Sequence, residues 1–499
     1  MPAFTLNVPI VTSTPTIAVE GLPAGTHRFQ LIVEDDSGNR SQPSFGTVTV
    51  LGRAPVITSV SPAFGIWGDQ VVITGANFDP VPNVVFNGVE AKVESASGTQ
   101  LTVRVPEPAT TGPLKVLTGT GEVVSLTLFV IPRVFTMEVG NLDIASQPID
   151  LALDTPKGNL WVLNKGPVIN SKRGVVAVIN LEQKELLNFI FVGDSPIAIA
   201  TAAAGERRVC VVLNSGGVIS AINLDSTQQV ANILVAANAG LPGTAIAIDI
   251  TPDGRWAYVL SITPTAPGGL IIIIDMTVSR VVGIIPAGPK STRVIFSRDG
   301  QFAVVNNTGD GTISLIDVNT RKVSAVKVGG SVPSNPQEVA FSQNTFPIWT
   351  ANLGSRNASV INKDALAAAA NIDLGFNAMA VAVTRDGTRA FLMGPQEKLM
   401  AMIDTGGGQP IVKTIKMSGV ASSAEAIATT PDDRGVIAIH SDINAMSVLE
   451  TKSLGLRAVI NLPGSPLKCL ITNDGKFAAV LGPKTVSIIE MESVLPAGA

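Results

Sequence analysis

Short apolar runs alternate with clusters of Gly, Pro, Asn, Asp and Ser along nearly the whole chain. Runs such as "IAIDI", "WAYVLS" and "LIIIID" are rich in Val, Ile and Ala and carry no 3.6-residue periodicity. Runs this short, bounded by turn residues, predict β-strands. Runs that are apolar at successive positions predict strands covered on both faces. None approaches the roughly 18 apolar residues that a membrane-spanning helix needs.

From residue 133 onward the pattern repeats. "TPDG" at Thr251 has relatives at Thr155, Ser297, Thr384, Thr430 and Thr472, and weaker copies at Ala202 and Ser342. An apolar strand precedes each turn and two or three follow it. Units begin near Pro148, Pro196, Thr244, Ser291, Gln337, Met379, Ala424 and Pro466. A four-strand unit with a period of about 45 residues predicts a β-propeller. Asp-Gly in the turn supplies the positive φ that links adjacent antiparallel strands. The last unit lacks a clear fourth strand, whereas "RVFTMEVG" at Arg133 has the shape of a fourth strand without its first three. Pairing the two would close the ring and remove an open edge. The expected ring has eight blades, with seven the alternative if one weak copy is miscounted. The units, "AIAIDITPDGRWAYVLS" most clearly, resemble the YVTN-type propeller repeat of bacterial and archaeal surface proteins.

The first third differs. "SVSPAFGIWGD", "VVITGANF", "VVFNGVEAKV" and "LTVRVP" are short strands separated by turn residues, and they resemble an IPT/TIG domain, an immunoglobulin-like sandwich. The resemblance implies a spacer or interaction module. Residues 1–53 resemble part of a fibronectin-type or PKD-type sandwich, with too few strands to stand alone. Such a module would be completed by its neighbour or by a strand from a partner. The expected organisation is a partial Ig-like module over 1–53, an IPT/TIG domain over 54–132 and a propeller over 133–499, all of it all-β.

Composition narrows the function. Charged residues make up 15% of the chain and the formal net charge is −4, which gives no basic footprint for nucleic acid. The opening "MPAFTLNVPIV" has neither a basic segment nor a cleavage site, so no standard signal peptide is expected. Two cysteines, Cys210 and Cys469, sit in apolar strands and read as buried thiols. Only two histidines occur, His27 and His440, in different predicted domains, so no His-based metal site is expected. "EDDSGN" at Glu34 has closely spaced oxygens but lacks the length and terminal Glu of a calcium loop. Trp161, Trp256 and Trp349 recur on second strands and read as packing between blades. No phosphate loop or nucleophile elbow appears, and no cofactor is expected.

The first strands, aligned on the turn, give the candidate site. One rank contains Leu151, Arg293, Glu338 and Lys468, with Ala elsewhere; the neighbouring rank contains Asp150 and Glu425. Asp150, Arg293, Glu338, Glu425 and Lys468 would therefore ring one mouth of the central channel, as inter-blade ion pairs or as a ligand site. The expected function is non-catalytic: a binding or scaffold protein whose propeller face recognises protein or glycan at a cell or particle surface. Strand addition at the first module would be a further partner contact. The alternatives are an accessory part of a phage-tail-like contractile injection particle and a channel-site enzyme.

Overall fold

The computed structural model describes residues 8–14, 16–17, 19, 22, 25–78, 82–139, 147–154, 157–166, 173–203, 207–235, 243–262, 268–330, 334–363, 369–394, 398–417 and 424–496, with Ala424 and Glu425 described by backbone alone. The chain divides into two compact units, Met1–Ile131 and Pro132–Ala499.

In the first unit, Gly25–Leu31 pairs antiparallel with Ser44–Val50 as a two-stranded ribbon. Leu31, Phe45 and Val48 on it are exposed. Among the described residues these two strands have no second layer to cover them. Residues 56–129 form two four-stranded sheets, Val56–Ser61/Gln70–Ala76/Gln100–Arg104/Val93–Ala96 and Gly121–Phe129/Gly112–Thr118/Asn83–Phe86/Val89–Ala91. Alternate residues point into one shared core, including Val71, Ile73, Val84, Phe86, Leu101 and Val116. This is a β-sandwich. Gly75 is required there: a Cβ would lie 1.9 Å from the Val56 carbonyl oxygen.

Among the described residues the second unit holds eight four-stranded sheets, here numbered as blades. Blades 1 to 7 begin with Gln147–Asp154, Pro196–Ala202, Thr244–Ile250, Ser291–Phe296, Pro336–Ser342, Ala380–Val383 and Ala424–Thr429. Each is a meander in sequence order. Blade 8 is composite. Its inner strands are Lys468–Ile471, Phe477–Leu481 and Thr485–Glu490, and its outer strand is Arg133–Glu138. Those last two pair antiparallel from Arg133↔Glu490 to Glu138↔Thr485. In place of a fourth strand the chain then turns into a short helix, Met491–Val494. Ser493 Oγ accepts from the Arg133 N–H at 2.9 Å.

The first strand of each blade packs against the first or second strand of the preceding one, and that of blade 8 packs against that of blade 1. The second unit is thus a β-propeller. Its second and third strands lie between blades and are almost wholly buried, as in Gly435–His440 and Gly269–Asp275. Trp161 and Trp349 are fully buried in these layers. Trp256 is partly exposed and lies under the guanidinium groups of Arg255 and Arg321.

The turn between first and second strands follows its sequence closely. Thr251 Oγ1 donates to Asp253 Oδ1 at 2.6 Å, and that same oxygen accepts from the Arg255 N–H at 3.0 Å. Gly254 has φ +72. The Ser/Thr-to-Asp bond recurs at Ser297, Thr384, Thr430 and Thr472.

A buried polar layer, invisible to the turn alignment, crosses the blades near the other end. The Nδ2 groups of Asn214, Asn307 and Asn352 donate to Ser220, Ser314 and Ser359 Oγ at 3.1, 2.9 and 2.8 Å. In blade 7 a histidine takes the asparagine's place, with His440 Nε2 2.8 Å from Ser447 Oγ. The layer also holds the crossing between blades: Asn307 Oδ1 accepts from the Gly288 N–H at 3.0 Å. A Cβ on Gly288 would lie 2.4 Å from Asn307 Cγ. Fourth strands end in glycine where this amide presses on the backbone.

Candidate functional site

The channel site is built from the first residues of the innermost strands, and the hydrogen-bond ladder fixes their register. Each strand opens with an irregularity. Pro148 faces Asn164 and Asp150 faces Leu163; Pro336 faces Asn352 and Glu338 faces Ala351; Lys468 faces Leu481. Asp150 therefore stands in the same rank as Glu338 and Lys468, and Leu151 stands one residue further along. Alignment on the turn put Leu151 there instead. The first blade's turn, at Thr155, joins strands paired from Asp154↔Asn159, so counting back from its turn slips by one residue. A slip of one moves a side chain to the opposite face. Leu151 is indeed buried between blades.

Four of the five expected residues meet in pairs. Lys468 Nζ lies 2.5 Å from Asp150 Oδ1 and also donates to the Leu151 carbonyl at 3.0 Å. Arg293 Nη1 lies 3.3 Å from Glu338 Oε1. The first pair joins blade 8 to blade 1 and the second joins blade 4 to blade 5. The side chain of Glu425 lies outside the described residues.

The carboxylates do a second job. Asp150 Oδ2 accepts from the Ile199 N–H of the next blade at 3.0 Å, while Oδ1 accepts from its neighbour Leu151 at 2.9 Å. Glu338 Oε2 accepts from the Val381 N–H of the next blade at 3.1 Å. An innermost strand is a sheet edge with one row of unpaired backbone groups. A carboxylate from the preceding blade satisfies one of them, with the strength of a charge-assisted bond. Burial raises the Glu338 pKa above the ordinary carboxylate value, and Arg293 opposes that shift.

Asp249 belongs to the same set and was not expected. It lies two residues beyond the rank of Asp150 and on the same face. Its Oδ1 accepts from the Ile250 N–H at 2.9 Å and its Oδ2 from the Phe296 N–H of blade 4 at 2.8 Å. Burial raises its pKa from 3.8 to about 6, against the pull of these two N–H groups, Arg293 and Lys468. The signal was present in the sequence, as an acid inside the apolar run "IAIDI". Asp249 lies outside the two ranks that alignment on the turn selects.

Elsewhere the chemistry is quiet. Burial lowers the His440 pKa to about 4, so the ring is neutral and structural. Cys210 is buried with its thiol pKa well above the ordinary value, and burial pushes Cys469 to about 12. Neither is a thiolate near neutral pH. The Glu34–Asn39 loop satisfies itself: Asp35 Oδ1 accepts from the Ser37 and Asn39 N–H groups at 2.9 and 2.8 Å. Among the described residues no cluster of three or more His, Cys, Asp or Glu could hold a metal ion.

The sandwich geometry and the strand spacing agree with the comparison to known families. Residues 55–131 match the IPT/TIG domain. The IPT/TIG domain thus begins at Pro55, just before its first strand, and ends at Ile131, where the first compact unit ends. No curated protein sequence matches the chain. Among solved structures, Kuenenia stuttgartiensis hydrazine synthase aligns with a TM-score of 0.46 at 17% identity, over 70% of this chain and 96% of that one.

Proposed function

We propose that this is a non-catalytic binding or scaffold protein. Its Ig-like part presents a YVTN-type propeller that recognises a protein or glycan at a cell or particle surface. The observation that carries the reading is the saturation of the described channel carboxylates. Asp150, Asp249 and Glu338 each commit both oxygens to backbone N–H groups or to a cation of the same chain. A general acid or base needs a lone pair or proton directed at a substrate, and these are directed at neighbouring blades. The IPT/TIG domain and the resemblance to surface-protein repeats favour the same reading.

Exposed apolar residues on the outer strands of blades 1 to 3 supply a surface for a protein partner. They include Leu187, Phe191, Val230, Leu234, Val282 and Ile284. The test uses the full chain in a protein-interaction and glycan-array screen. Val230→Lys and Ile284→Lys are expected to abolish capture of the partner while the thermal transition stays in place. A substrate turnover that disappears in Glu338→Ala, with the fold intact, would overturn the non-catalytic reading.

A further inference from the structure

The ring is closed at one seam by noncovalent contacts alone. From blade 1 to blade 8 the chain itself crosses each joint in turn, so neighbouring strands are tethered. The last three strands of blade 8 have no such tether to what they close on, which is Arg133–Glu138 and blade 1. Hydrogen bonds across this seam join residues 294 to 360 positions apart. Closing a loop of that length costs entropy that only the contacts at the seam oppose.

Those contacts are unusually rich in charge. Lys468 Nζ lies 2.5 Å from Asp150 Oδ1. Lys476 Nζ lies 3.0 Å from Glu182 Oε1. Glu490 joins two cations: Oε1 pairs with Lys184 Nζ, and Oε2 lies 3.5 Å from Arg133 Nη1. In each of these four pairs one member belongs to the C-terminal strands and the other to Arg133–Glu138 or blade 1. Lys468, Asp150, Glu490 and Lys184 are half-buried, while Lys476 and Glu182 are exposed. Among the described residues, the other ion pairs between blades are Lys157–Asp225 and Arg208–Asp154 at blades 1 and 2, and Arg293–Glu338 at blades 4 and 5. Both of those joints are also crossed by the chain.

A single exposed ion pair is worth little, but a network placed where no tether exists acts on one opening event. We propose that the seam is an ionic latch: rising ionic strength opens the ring there before any other joint. Opening bares the two strand edges that otherwise pair with each other, Arg133–Glu138 and Thr485–Glu490. The apolar contacts of Leu151 and Leu160 with Leu481 and Ile488 carry no charge, so salt loosens the seam without melting the blades. The latch does not depend on the partner surface proposed above.

The experiment is hydrogen exchange of the full chain, read by mass spectrometry at fixed pH. Sodium chloride is raised from about 0.1 M to about 1 M, which shortens the Debye length from about 10 Å to about 3 Å. Amides of Arg133–Glu138 and Thr485–Glu490 are compared with those of Phe302–Asn307 and Thr312–Asp317 in blade 4, which cancels the effect of salt on exchange chemistry. The seam amides should gain about three- to tenfold in relative rate at high salt, the combined worth of several modest pairs. Lys476→Glu should accelerate them at low salt, and adding Glu182→Lys to the same chain should restore the parent rate. Both side chains are exposed, so neither substitution disturbs the core. A relative rate that does not change with salt, or an acceleration shared equally by blade 4, would overturn the proposal. So would a charge swap that leaves the seam as fast as Lys476→Glu alone.

Discussion

Asp249 gives the sharpest test of the channel's electrostatics. Its carboxyl binds a proton more tightly in the folded chain, near pH 6, than in the unfolded chain, near 3.8. A raised carboxyl stabilises the fold fully below the lower value, and that contribution is lost as pH rises through the upper one. At 1.36 kcal/mol per unit the full span is worth roughly 3 kcal/mol, and the step from pH 7 to pH 5 roughly 1 kcal/mol. His440 pulls the other way. Its folded value of about 4 lies below the ordinary 6.5, so its contribution is present above 6.5 and lost as pH falls. The raw pH profile therefore mixes two opposed terms, and a difference measurement separates them. Asp249→Asn removes the titration and costs about 1 to 3 kcal/mol at neutral pH, because one backbone N–H loses its acceptor. Denaturant midpoints of both proteins would be followed by tryptophan fluorescence at pH 4.5, 5.5, 7 and 8. The parent should gain on the variant as pH falls, by roughly 1 kcal/mol from pH 7 to pH 5. A difference that is flat with pH, or that shrinks on acidification, would refute the assignment.

Two further outcomes follow from the packing. His440→Asn should be nearly neutral in thermal melts, because blades 2, 4 and 5 use Asn at this position, whereas His440→Leu should cost about 1 to 3 kcal/mol by leaving Ser447 unpaired. Gly288→Ala should lower the melting temperature, since its Cβ would meet the Asn307 amide at 2.4 Å, while Gly407→Ala, with nothing within 4 Å, should not.

Much of this architecture was legible because turn chemistry and strand burial are local. Asp253 and Gly254 mark their turn in sequence just as they build it in space. The lone strand at Arg133 was readable as the partner of Thr485–Glu490 because each end of the chain lacked what the other had. The site was less legible. Asp150 fell into the wrong rank because the turn motif of the first blade stands one residue later against its ladder than that of the third, and a register error of one residue cannot be seen without the ladder. The Asn–Ser layer escaped because its members come from different strands and become neighbours only through pairing. The ribbon at Gly25 and Ser44 shows two described strands of the partial sandwich expected over residues 1–53. Among the described residues its apolar side chains have no second sheet to meet, so period-2 pattern alone could not decide their fate.

The composite blade has a consequence for synthesis. Its outer strand, Arg133–Glu138, leaves the ribosome well before its partner, Thr485–Glu490, exists. At about 5 to 20 residues per second the interval lasts tens of seconds. Throughout that time the strand is an unpaired edge and blades 1 to 7 form an open arc. Closure is thus a late event that inspects the whole unit at once, and a chain truncated anywhere before residue 485 leaves its first propeller strand unclaimed and open to proteases.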